Sequence, residues 1–510
     1  MRPEGPTLDP LMSAFAPIPL GAPIPDSPHA VSCSLPTMAA VRGYEEKDAE
    51  VIRSLKTGYP RFVIHPFARR LGEELSRRHS LGTRRLWLAS SRRMAGALLA
   101  HLGDPGAGLF ESCGVHGVVH DDSPEVAQRA KLYLQNIGGF ISSREAEDTL
   151  VALGEVPAAQ AEQTFAGDAR AEVLRFLSPR FPGVDRLLLA NCGMNAVHAA
   201  FAAVNAVQAP RGRTAWVQLG WLYLDTIAIL RKHTAGPADY LHVGDVMDLD
   251  ALERVFRENG GRIAGVMAEV PTNPLVQSPD VARLSGLCRR HGVKLVLDPS
   301  LVSVFSADVL PHAALVVTSL TKYTGNEGDV IAGLLAVNPQ APDAEALGRA
   351  AAALVEPPYA RDLARLAAQI PHTESVLSRI EESTPRVAAF LAAHPAVRAT
   401  YWALEPSSRA NYVAIARTPG ATGGMISFCL RGGLEAFYDR LRLPKGPSFG
   451  MRTTLICPFM YLAHYDMVSS EAGRAELRRH GLDPDLLRLC VGTEPAEEII
   501  AALREALDGA

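Results

Sequence analysis

Between about residues 185 and 338, short apolar runs alternate with amphipathic segments. The runs are typical of strands buried on both faces of a sheet, and they lie at residues 187–189, 216–219, 263–270, 293–297, 315–317 and 330–337. One intervening segment carries helix signals, with Ser278 as N-cap, Pro279 at the first helical position and Gly292 just after the end. The pattern predicts an α/β fold with a mostly parallel central sheet.

The pattern changes after about residue 365, and it is weak at the start of the chain. A long helix-like segment, a strand-rich stretch around residues 423–428 and a closing amphipathic helix over residues 494–507 predict a second, smaller α/β domain. Residues 1–32 carry proline and glycine with little periodicity, so we expect a flexible tail there.

The composition narrows the class of protein. The chain has 510 residues, 47% of them hydrophobic and 21% charged, which predicts a large core and two or three domains. The formal net charge is −4 and no basic block is present, so nucleic acid is not expected as a partner. No apolar run is long enough to span a membrane, and the seven cysteines form no CxxC pair. We therefore expect a cytoplasmic protein without a disulfide framework, a zinc site or a membrane partner.

Two polar residues mark the ends of apolar runs. Asp298 closes one run, and Lys322 follows another run 24 residues later, in the sequence Ser319-Leu320-Thr321-Lys322. Pyridoxal phosphate needs an amine that forms a Schiff base, a carboxylate that keeps the pyridine nitrogen protonated, and hydroxyls around its phosphate. Taken alone, such a lysine or aspartate is usually a solvated strand end or a turn residue. Their joint occurrence predicts a pyridoxal phosphate site at the carboxyl edge of the sheet.

Motifs along the chain carry a family resemblance. Residues 269–274, 297–300, 319–323 and 487–494 resemble the Cys/Met metabolism family of fold-type I pyridoxal phosphate enzymes. Residues 35–37, 43–46, 58–62, 141–147 and 458–465 further resemble the long fungal-type cystathionine γ-synthases. The resemblance implies a fold-type I transferase with an N-terminal extension over residues 33–139, a cofactor-binding large domain over 140–375 and a C-terminal small domain over 376–510.

The resemblance also implies a role for each residue around the cofactor. Lys322 is expected to form the Schiff base and to move protons, and Asp298 is expected to face the pyridine nitrogen. A helix that starts after the phosphate loop would present backbone N–H groups to the phosphate, as helix N-termini do. The groups implied at the phosphate are the backbone N–H groups of Gly193 and Met194 and the hydroxyls of Ser319 and Thr321.

Five further positions are implied around the ring and the substrate. Tyr223 is expected to stack on the ring and to assist proton transfer, with Trp221 as a competing aromatic residue. Asn273 would bind the 3-oxygen of the cofactor. Arg488 would grip the substrate carboxylate through two charge-assisted hydrogen bonds, and Ser448 would lie in a loop near the substrate.

The sequence departs from the family pattern at several positions. Ser300 stands where a threonine is usual after the cofactor aspartate, and Thr453 stands where a glutamate is usual. The family's Tyr-x-Arg, which reaches the phosphate of the neighbouring subunit, is replaced by residues 140–144. Within that segment, Arg144 is the residue that the resemblance still implies as a contact of the neighbouring subunit's phosphate.

The activity that the resemblance implies is a γ-replacement, in which an O-acylhomoserine loses its acyloxy group and cysteine adds to give cystathionine. A γ- or β-lyase and an O-acylhomoserine sulfhydrylase stay open as alternatives, because these reactions differ in pocket shape and water access. A regulatory protein that binds pyridoxal phosphate without turnover is the alternative from another class. Since active sites of the family lie between subunits, a homodimer or homotetramer is expected.

Overall fold

A computed structural model describes residues 15–59 and 62–509 of the chain. Its strands are β1 (Pro23–Ile24), β2 (Ser32–Cys33), β3 (Arg85–Ala89), β4 (Gly108–Ser112), β5 (Val115–His120), β6 (Leu188–Ala190), β7 (Ala215–Leu219), β8 (Tyr240–Val243), β9 (Ile263–Glu269), β10 (Lys294–Asp298), β11 (Leu315–Ser319), β12 (Gly333–Val337), β13 (Val397–Trp402), β14 (Met425–Leu430), β15 (Leu455–Pro458) and β16 (Leu487–Cys490).

The α-helices are α1 (Met38–Glu46), α2 (Ala49–Ser54), α3 (Pro66–Arg78), α4 (Arg92–Leu102), α5 (Pro124–Ile137), α6 (Ser143–Ala152), α7 (Ala169–Leu177), α8 (Gly193–Gln208), α9 (Leu224–His233), α10 (Leu249–Asn259), α11 (Val281–Arg290), α12 (Ala344–Leu354), α13 (Ala360–Gln369), α14 (Thr373–Ala393), α15 (Arg409–Val413), α16 (Leu434–Arg440), α17 (Phe459–Ala463), α18 (Tyr465–Val468), α19 (Glu471–Arg479) and α20 (Ala496–Asp508). Short 3-10 helices lie at Ser178–Arg180, Ala209–Arg211, Pro237–Asp239, Gly260–Arg262, Leu310–His312 and Ile370–His372.

The central sheet has the strand order β6-β12-β11-β10-β9-β7-β8. Every pairing is parallel except those of β12, which runs antiparallel to β6 and to β11. Every residue of β7 and β9 is buried, because helices cover both faces of the sheet and no face is left for alternating polar positions. The predicted α/β fold with a mostly parallel sheet is confirmed, and the carboxyl ends of six strands, all except β12, meet at one edge.

The helix predicted to follow Ser278 begins two residues later than expected. Asp280 is the N-cap of α11, and its carboxylate accepts a hydrogen bond of 2.9 Å from the backbone N–H of Arg283. An ionised cap also interacts favourably with the helix dipole, so the carboxylate takes the position that the sequence analysis assigned to the serine hydroxyl. Ser278 and Pro279 lie before the helix.

The C-terminal part is built on the antiparallel sheet β13-β14-β16-β15. α14 and α20 pack on it in a cluster that includes Val387, Phe428 and Leu503. Leu35 and Met38 are buried in the same cluster, so the start of the chain packs on the C-terminal sheet.

A third sheet, β3-β5-β4, lies in the predicted N-terminal extension. Successive side chains of a strand point to opposite faces, and the neighbours Val118 and Val119 of β5 accordingly fall into different clusters. Val119 packs with Leu71 of α3, and Val118 packs with Leu98 of α4. Helices on both faces make this region a small layered unit.

The predicted tail is only partly described. Residues 1–14 lie outside the described residues, whereas Ile24 and Val31 are 2% and 1% exposed and the backbone N–H of Val31 donates to Gly328 O at 2.9 Å. The boundaries proposed for the tail, the extension and the two domains stay predictions. In the described part of the chain, no helix is both long enough and apolar enough to cross a membrane.

Candidate active site

The last residues of three neighbouring strands meet at the carboxyl edge of the central sheet. Glu269 ends β9, Asp298 ends β10 and Ser319 ends β11, and Glu269 lies beside Asp298 in the sheet register. They border a cavity with about 970 Å³ of empty space, which we call the cofactor cavity. Its lining also includes Tyr59, Phe62, Gly193, Met194, Tyr223, Asn273, Ser300, Lys322, Ser448, Phe449, Cys457, Phe459, Leu462, Ala463 and Arg488.

Lys322 lies in the turn after β11 and is 6% exposed. Its Nζ donates a hydrogen bond of 2.5 Å to Ser448 Oγ. The same Nζ lies 4.7 Å from the ring centroids of both Tyr59 and Phe449. The amine is therefore fixed inside the cavity by one hydroxyl and two aromatic faces, which attract a cation.

Asp298 is held in place by Ser300. The backbone N–H and the hydroxyl of Ser300 donate to Asp298 Oδ1 at 2.8 and 2.5 Å. Ser300 Oγ in turn accepts a hydrogen bond of 2.7 Å from the backbone N–H of Ser319. Burial raises the pKa of the Asp298 carboxyl to about 6, against the opposing effect of the Ser300 hydrogen bonds. A carboxylate in this position suits a positively charged pyridine nitrogen.

The first turn of α8 fits a phosphate group. A Cβ atom at residue 193 would lie 2.9 Å from Ser319 Cβ, so Gly193 is what allows the helix start to approach the end of β11. The Cys192 side chain caps the helix by accepting from the backbone N–H of Asn195. The N–H groups of Gly193 and Met194 stand beside Ser319 at the cavity, which is the donor set that a phosphate requires. The residues present therefore fit pyridoxal phosphate at both its phosphate and its ring nitrogen.

Two predicted cofactor ligands are not brought to the cofactor cavity. Thr321 Oγ1 donates to Ala332 O at 3.3 Å and accepts from the Ala332 N–H at 3.2 Å, so this hydroxyl joins two backbone segments. Arg144 is 1% exposed, and its guanidinium donates to Glu162, to Asp362 and to the carbonyl of Asp329. It lines a different cavity, which we call the Arg144 cavity. Arg144 thus has partners within its own chain, and its contact with the phosphate of a neighbouring subunit stays a prediction.

Arg488 also lines the cofactor cavity. The guanidinium donates to Asn273 Oδ1 and to Ser448 O, each at 3.2 Å. The rings of Phe449 and Phe459 lie 5.1 and 4.5 Å from its Cζ. Among the described residues, Arg488 forms no ion pair with a carboxylate. A buried cation of this kind is ready to receive the carboxylate of a ligand.

Tyr223, and not Trp221, lines the cofactor cavity. The backbone N–H of Tyr223 donates to Glu269 Oε1 at 2.6 Å. Burial and the neighbouring Asp298 raise the pKa of the Glu269 carboxyl to about 8. Trp221 instead donates its indole N–H to Nε2 of His464 at 2.9 Å. Of the two aromatic residues, Tyr223 is thus the one that borders the cavity, and its stacking on the cofactor ring stays a prediction.

Sequence reasoning missed Ser300, Glu269 and Tyr59 as site residues. Ser300 and Glu269 belong to motifs that carried the resemblance, but only the fold shows that both face Asp298. Tyr59 begins a Tyr-Pro-Arg sequence with the spacing of the Tyr-x-Arg motif that was sought at residues 140–144. That spacing was the available signal; Arg61 itself lies outside the described residues.

An enzyme that binds pyridoxal phosphate is the class that this fold and cavity define, and comparisons with known proteins agree. Residues 173–508 match the family described as Cys/Met metabolism PLP-dependent enzyme. The chain is 39% identical to an L-2-amino-4-chloropent-4-enoate dechlorinase/desaturase of Streptantibioticus cattleyicolor, over 96% of this chain and 98% of that protein. It is 28% identical to the cystathionine gamma-synthase of Neurospora crassa, again over 96% and 98%.

Solved structures show the same fold. The cystathionine gamma synthase of Xanthomonas oryzae pv. oryzae, solved in complex with cystathionine, is 23% identical and has a TM-score of 0.56, over 69% of this chain and 88% of that one. The chain belongs to the Cys/Met metabolism family of pyridoxal-phosphate-dependent enzymes. The predictions of the family, of the cofactor and of an enzyme are thereby confirmed.

Proposed function

We propose that this enzyme eliminates a γ-substituent from an amino acid that carries a single carboxylate. The observation that supports the proposal is the charge of the cofactor cavity. Its described lining holds one guanidinium, that of Arg488, and one amine, that of Lys322, with Glu269 and Asp298 as the acidic groups. The rest of the wall near Arg488 is apolar and aromatic, with Phe62, Phe449, Phe459, Leu462 and Ala463.

A γ-replacement by cysteine would require additional charged groups in the cavity. Cysteine brings a second α-carboxylate and a second ammonium group, and each would need a buried partner of opposite charge. Arg488 supplies the one guanidinium of the described lining, which provides a site for a single carboxylate. A compact substrate with an uncharged γ-group fits this lining better.

Each polar residue of the cavity has a defined task in such a reaction. Pyridoxal phosphate, when bound, supplies a ring that takes up the electron pair left at Cα. Asp298 would stabilise the proton on the ring nitrogen. Arg488 would bind the α-carboxylate and direct the Cα–H bond towards Lys322, whose Nζ accepts the proton. The aromatic wall would keep water and thiols away from the γ-carbon while the substituent leaves with its bonding electrons.

The dechlorinase/desaturase relative indicates the first substrate to test. L-2-amino-4-chloropent-4-enoate has one carboxylate and an apolar γ-chloro group, and its desaturation releases one equivalent of chloride and one proton. Enzyme loaded with pyridoxal phosphate should release chloride from it without added thiol, and Lys322→Ala should not. The proposal is abandoned if chloride stays bound to carbon while O-acylhomoserine plus cysteine yields cystathionine.

The γ-replacement implied by the sequence resemblance is the second candidate. It is favoured by the similarity to the Neurospora crassa cystathionine gamma-synthase over 96% of the chain. O-acetylhomoserine and O-succinylhomoserine, each with and without cysteine, separate the alternatives. Consumption only with cysteine indicates a synthase, consumption only with sulfide indicates a sulfhydrylase, and consumption without thiol indicates a lyase.

We further propose a cytoplasmic enzyme that assembles at least as a dimer. Size-exclusion chromatography with light scattering measures the mass of the assembly directly. A monomer with full activity at nanomolar concentration would contradict the proposed assembly. Because Arg144 is enclosed by its own chain, we do not expect Lys322→Ala and Arg144→Ala subunits to complement each other.

A further inference from the structure

One side-chain contact joins the loop before Tyr223 to a distant segment of the C-terminal part. The indole N–H of Trp221 donates to His464 Nε2 at 2.9 Å, and the two rings meet edge to face with centroids 5.1 Å apart. An indole nitrogen can only donate, so Nε2 of His464 carries no proton and the imidazole is neutral. Trp221 is also packed against two hydrophobic clusters, one beneath the central sheet and one around Phe459.

Both partners are adjacent to residues that line the cofactor cavity. Residues 220–223, which we call the β7 loop, lead from the end of β7 to Tyr223. Gly220 has a φ of 77°, and a Cβ there would lie 2.3 Å from Val246 Cγ1, so the loop has one tight path. On the other side, His464 directly follows Leu462 and Ala463 of α17. The contact is therefore a short link between the loop that leads to Tyr223 and the helix that carries Leu462 and Ala463.

The surroundings of His464 keep it neutral. Burial lowers the pKa of its imidazole to about 4; Asp466 opposes this shift and Arg231 adds to it. The other titratable groups nearby come from β8, from α19 and from His480, which directly follows α19. His480 lies 5.6 Å from the Trp221 ring and 5.2 Å from the His242 ring, and Glu476 bonds His480 at 3.0 Å.

We propose that Trp221 and His464 are a positioning pair, whose hydrogen bond fixes the β7 loop against α17 and so sets the place of Tyr223 over the cofactor. Neither residue lines the cavity, so the pair acts through Tyr223 and through Leu462 and Ala463. This role is the same for elimination and for replacement at the γ-carbon, because it concerns the shape of the cavity and not the leaving group. Loss of the bond frees the loop at one end while Glu269 still holds it at the other.

Matched variants separate the hydrogen bond from simple packing. Trp221→Phe keeps an aromatic ring and removes the N–H donor. His464→Leu keeps bulk and removes the acceptor, whereas His464→Gln supplies an amide oxygen that can accept the bond. Trp402→Phe, on β13, is the control for the loss of a tryptophan elsewhere.

Amide hydrogen exchange of the peptide that contains the β7 loop is the primary measurement, since it needs neither substrate nor turnover. Exchange there should rise in Trp221→Phe and His464→Leu and stay at the parent rate in His464→Gln and Trp402→Phe. With whichever substrate turns over, kcat should fall by up to about a hundredfold in the first two variants, with a smaller change in KM, because misplaced groups slow the reaction more than they weaken binding. His464→Gln should recover most of that loss.

Tryptophan emission gives a second, independent measurement on the holoenzyme. The Trp221 contribution, obtained as the difference between spectra with and without Trp221→Phe, should change in His464→Leu and stay at the parent position in His464→Gln, because only the second variant keeps an acceptor for the indole N–H. The proposal is overturned if this contribution is the same in His464→Leu and in His464→Gln, or if these two variants have the same loop exchange and the same kcat. An inactive enzyme with the expected exchange pattern would count against the proposed function alone.

Discussion

Two buried arginines show how the same side chain can serve opposite purposes. Arg144 and Arg488 are 1% and 7% exposed. Arg144 forms ion pairs with Glu162 at 2.6 Å and with Asp362 at 2.9 Å, so its charge is neutralised within the protein. The guanidinium of Arg488 donates to an amide oxygen and a carbonyl oxygen and lies against two aromatic faces, and among the described residues it has no carboxylate partner.

The difference lies in what each guanidinium can still bind. Arg144 belongs to a network in which Arg361 and Arg365 share the carboxylates of Glu162 and Asp329 with it. Removing a charge from such a network leaves buried anions without partners, which mainly affects folding. Arg488 keeps donors that neutral partners only partly satisfy, so its removal should mainly affect the binding of an anionic substrate. Burial alone therefore does not identify a functional arginine; the counter-charge does.

The largest expected effect is on turnover, and it follows from replacing Lys322 in the cofactor cavity. Lys322→Ala should lower turnover at least about 10⁴-fold, or about 5.4 kcal/mol, since it removes the proton-transferring amine. Borohydride should fix the cofactor covalently in the parent protein but not in the variant. A variant that retains turnover and a reducible link on another lysine would remove Lys322 from the site.

The second effect concerns the Arg144 cavity. Arg144→Ala should lower the free energy of unfolding by about 3–5 kcal/mol, because it leaves Asp362 without its buried cationic partner and removes one of the guanidinium groups that Glu162 shares. Urea unfolding of the apo-protein measures the change, and Arg175→Ala, which breaks an exposed pair with Glu172, is a control that should leave stability nearly unchanged. If stability were unchanged and cofactor affinity collapsed instead, Arg144 would be a phosphate ligand, as the resemblance implied.

Arg488→Lys should give the opposite result. The variant keeps the charge but loses the planar two-point geometry, so kcat/KM should fall about tenfold or more, corresponding to about 1.4 kcal/mol. The cofactor absorption and the unfolding midpoint should stay at the parent values. Unaltered kinetics in both Arg488→Lys and Arg488→Ala would place the carboxylate site elsewhere in the cavity.

The smallest effect is a pH dependence of the apo-protein. Burial and Asp298 raise the pKa of Glu269 from 4.5 to about 8, so the folded state binds a proton that the unfolded state releases. The resulting stability is complete below pH 4.5 and is lost as the pH rises through 8. Glu269→Gln, which is neutral at every pH, should remove a decline of about 1 kcal/mol between pH 7 and pH 8. An identical decline in parent and variant would show that Glu269 is ionised in the folded protein.

Site residues that directly follow a strand could be predicted from the sequence. Lys322 and Asp298 could be placed because each follows an apolar strand, and parallel strands bring their carboxyl ends together. The hydrogen bonds that tune them could not be read in the same way. Ser448 is 126 residues from Lys322 and Asn273 is 215 residues from Arg488, so these contacts depend on how the two main sheets pack.

Arg144 shows what a sequence motif cannot tell, namely which side chains surround the residue in the fold. A motif identifies a residue type at a position, but the partners of that residue come from other elements, here α13 and the segments around Glu162 and Asp329. The start of α11 was predicted two residues too early for a similar reason. Ser278 and Asp280 were both possible N-caps, and in the structure the carboxylate of Asp280 makes the capping hydrogen bond. Tyr59 was within reach of sequence reasoning, because its spacing to Arg61 matched the motif that was being sought.

The position of Tyr59 has a practical meaning for anyone who wishes to shorten this protein. The part that matches the family, residues 173–508, contains Lys322, Asp298 and Arg488. A fragment cut at those limits would keep every one of these groups and lose the ring that lies 4.7 Å from the reactive amine. It would also expose the surface of the C-terminal sheet that Leu35 and Met38 cover. The first quarter of the chain thus contributes to the wall of the cofactor cavity and to the packing of the C-terminal sheet.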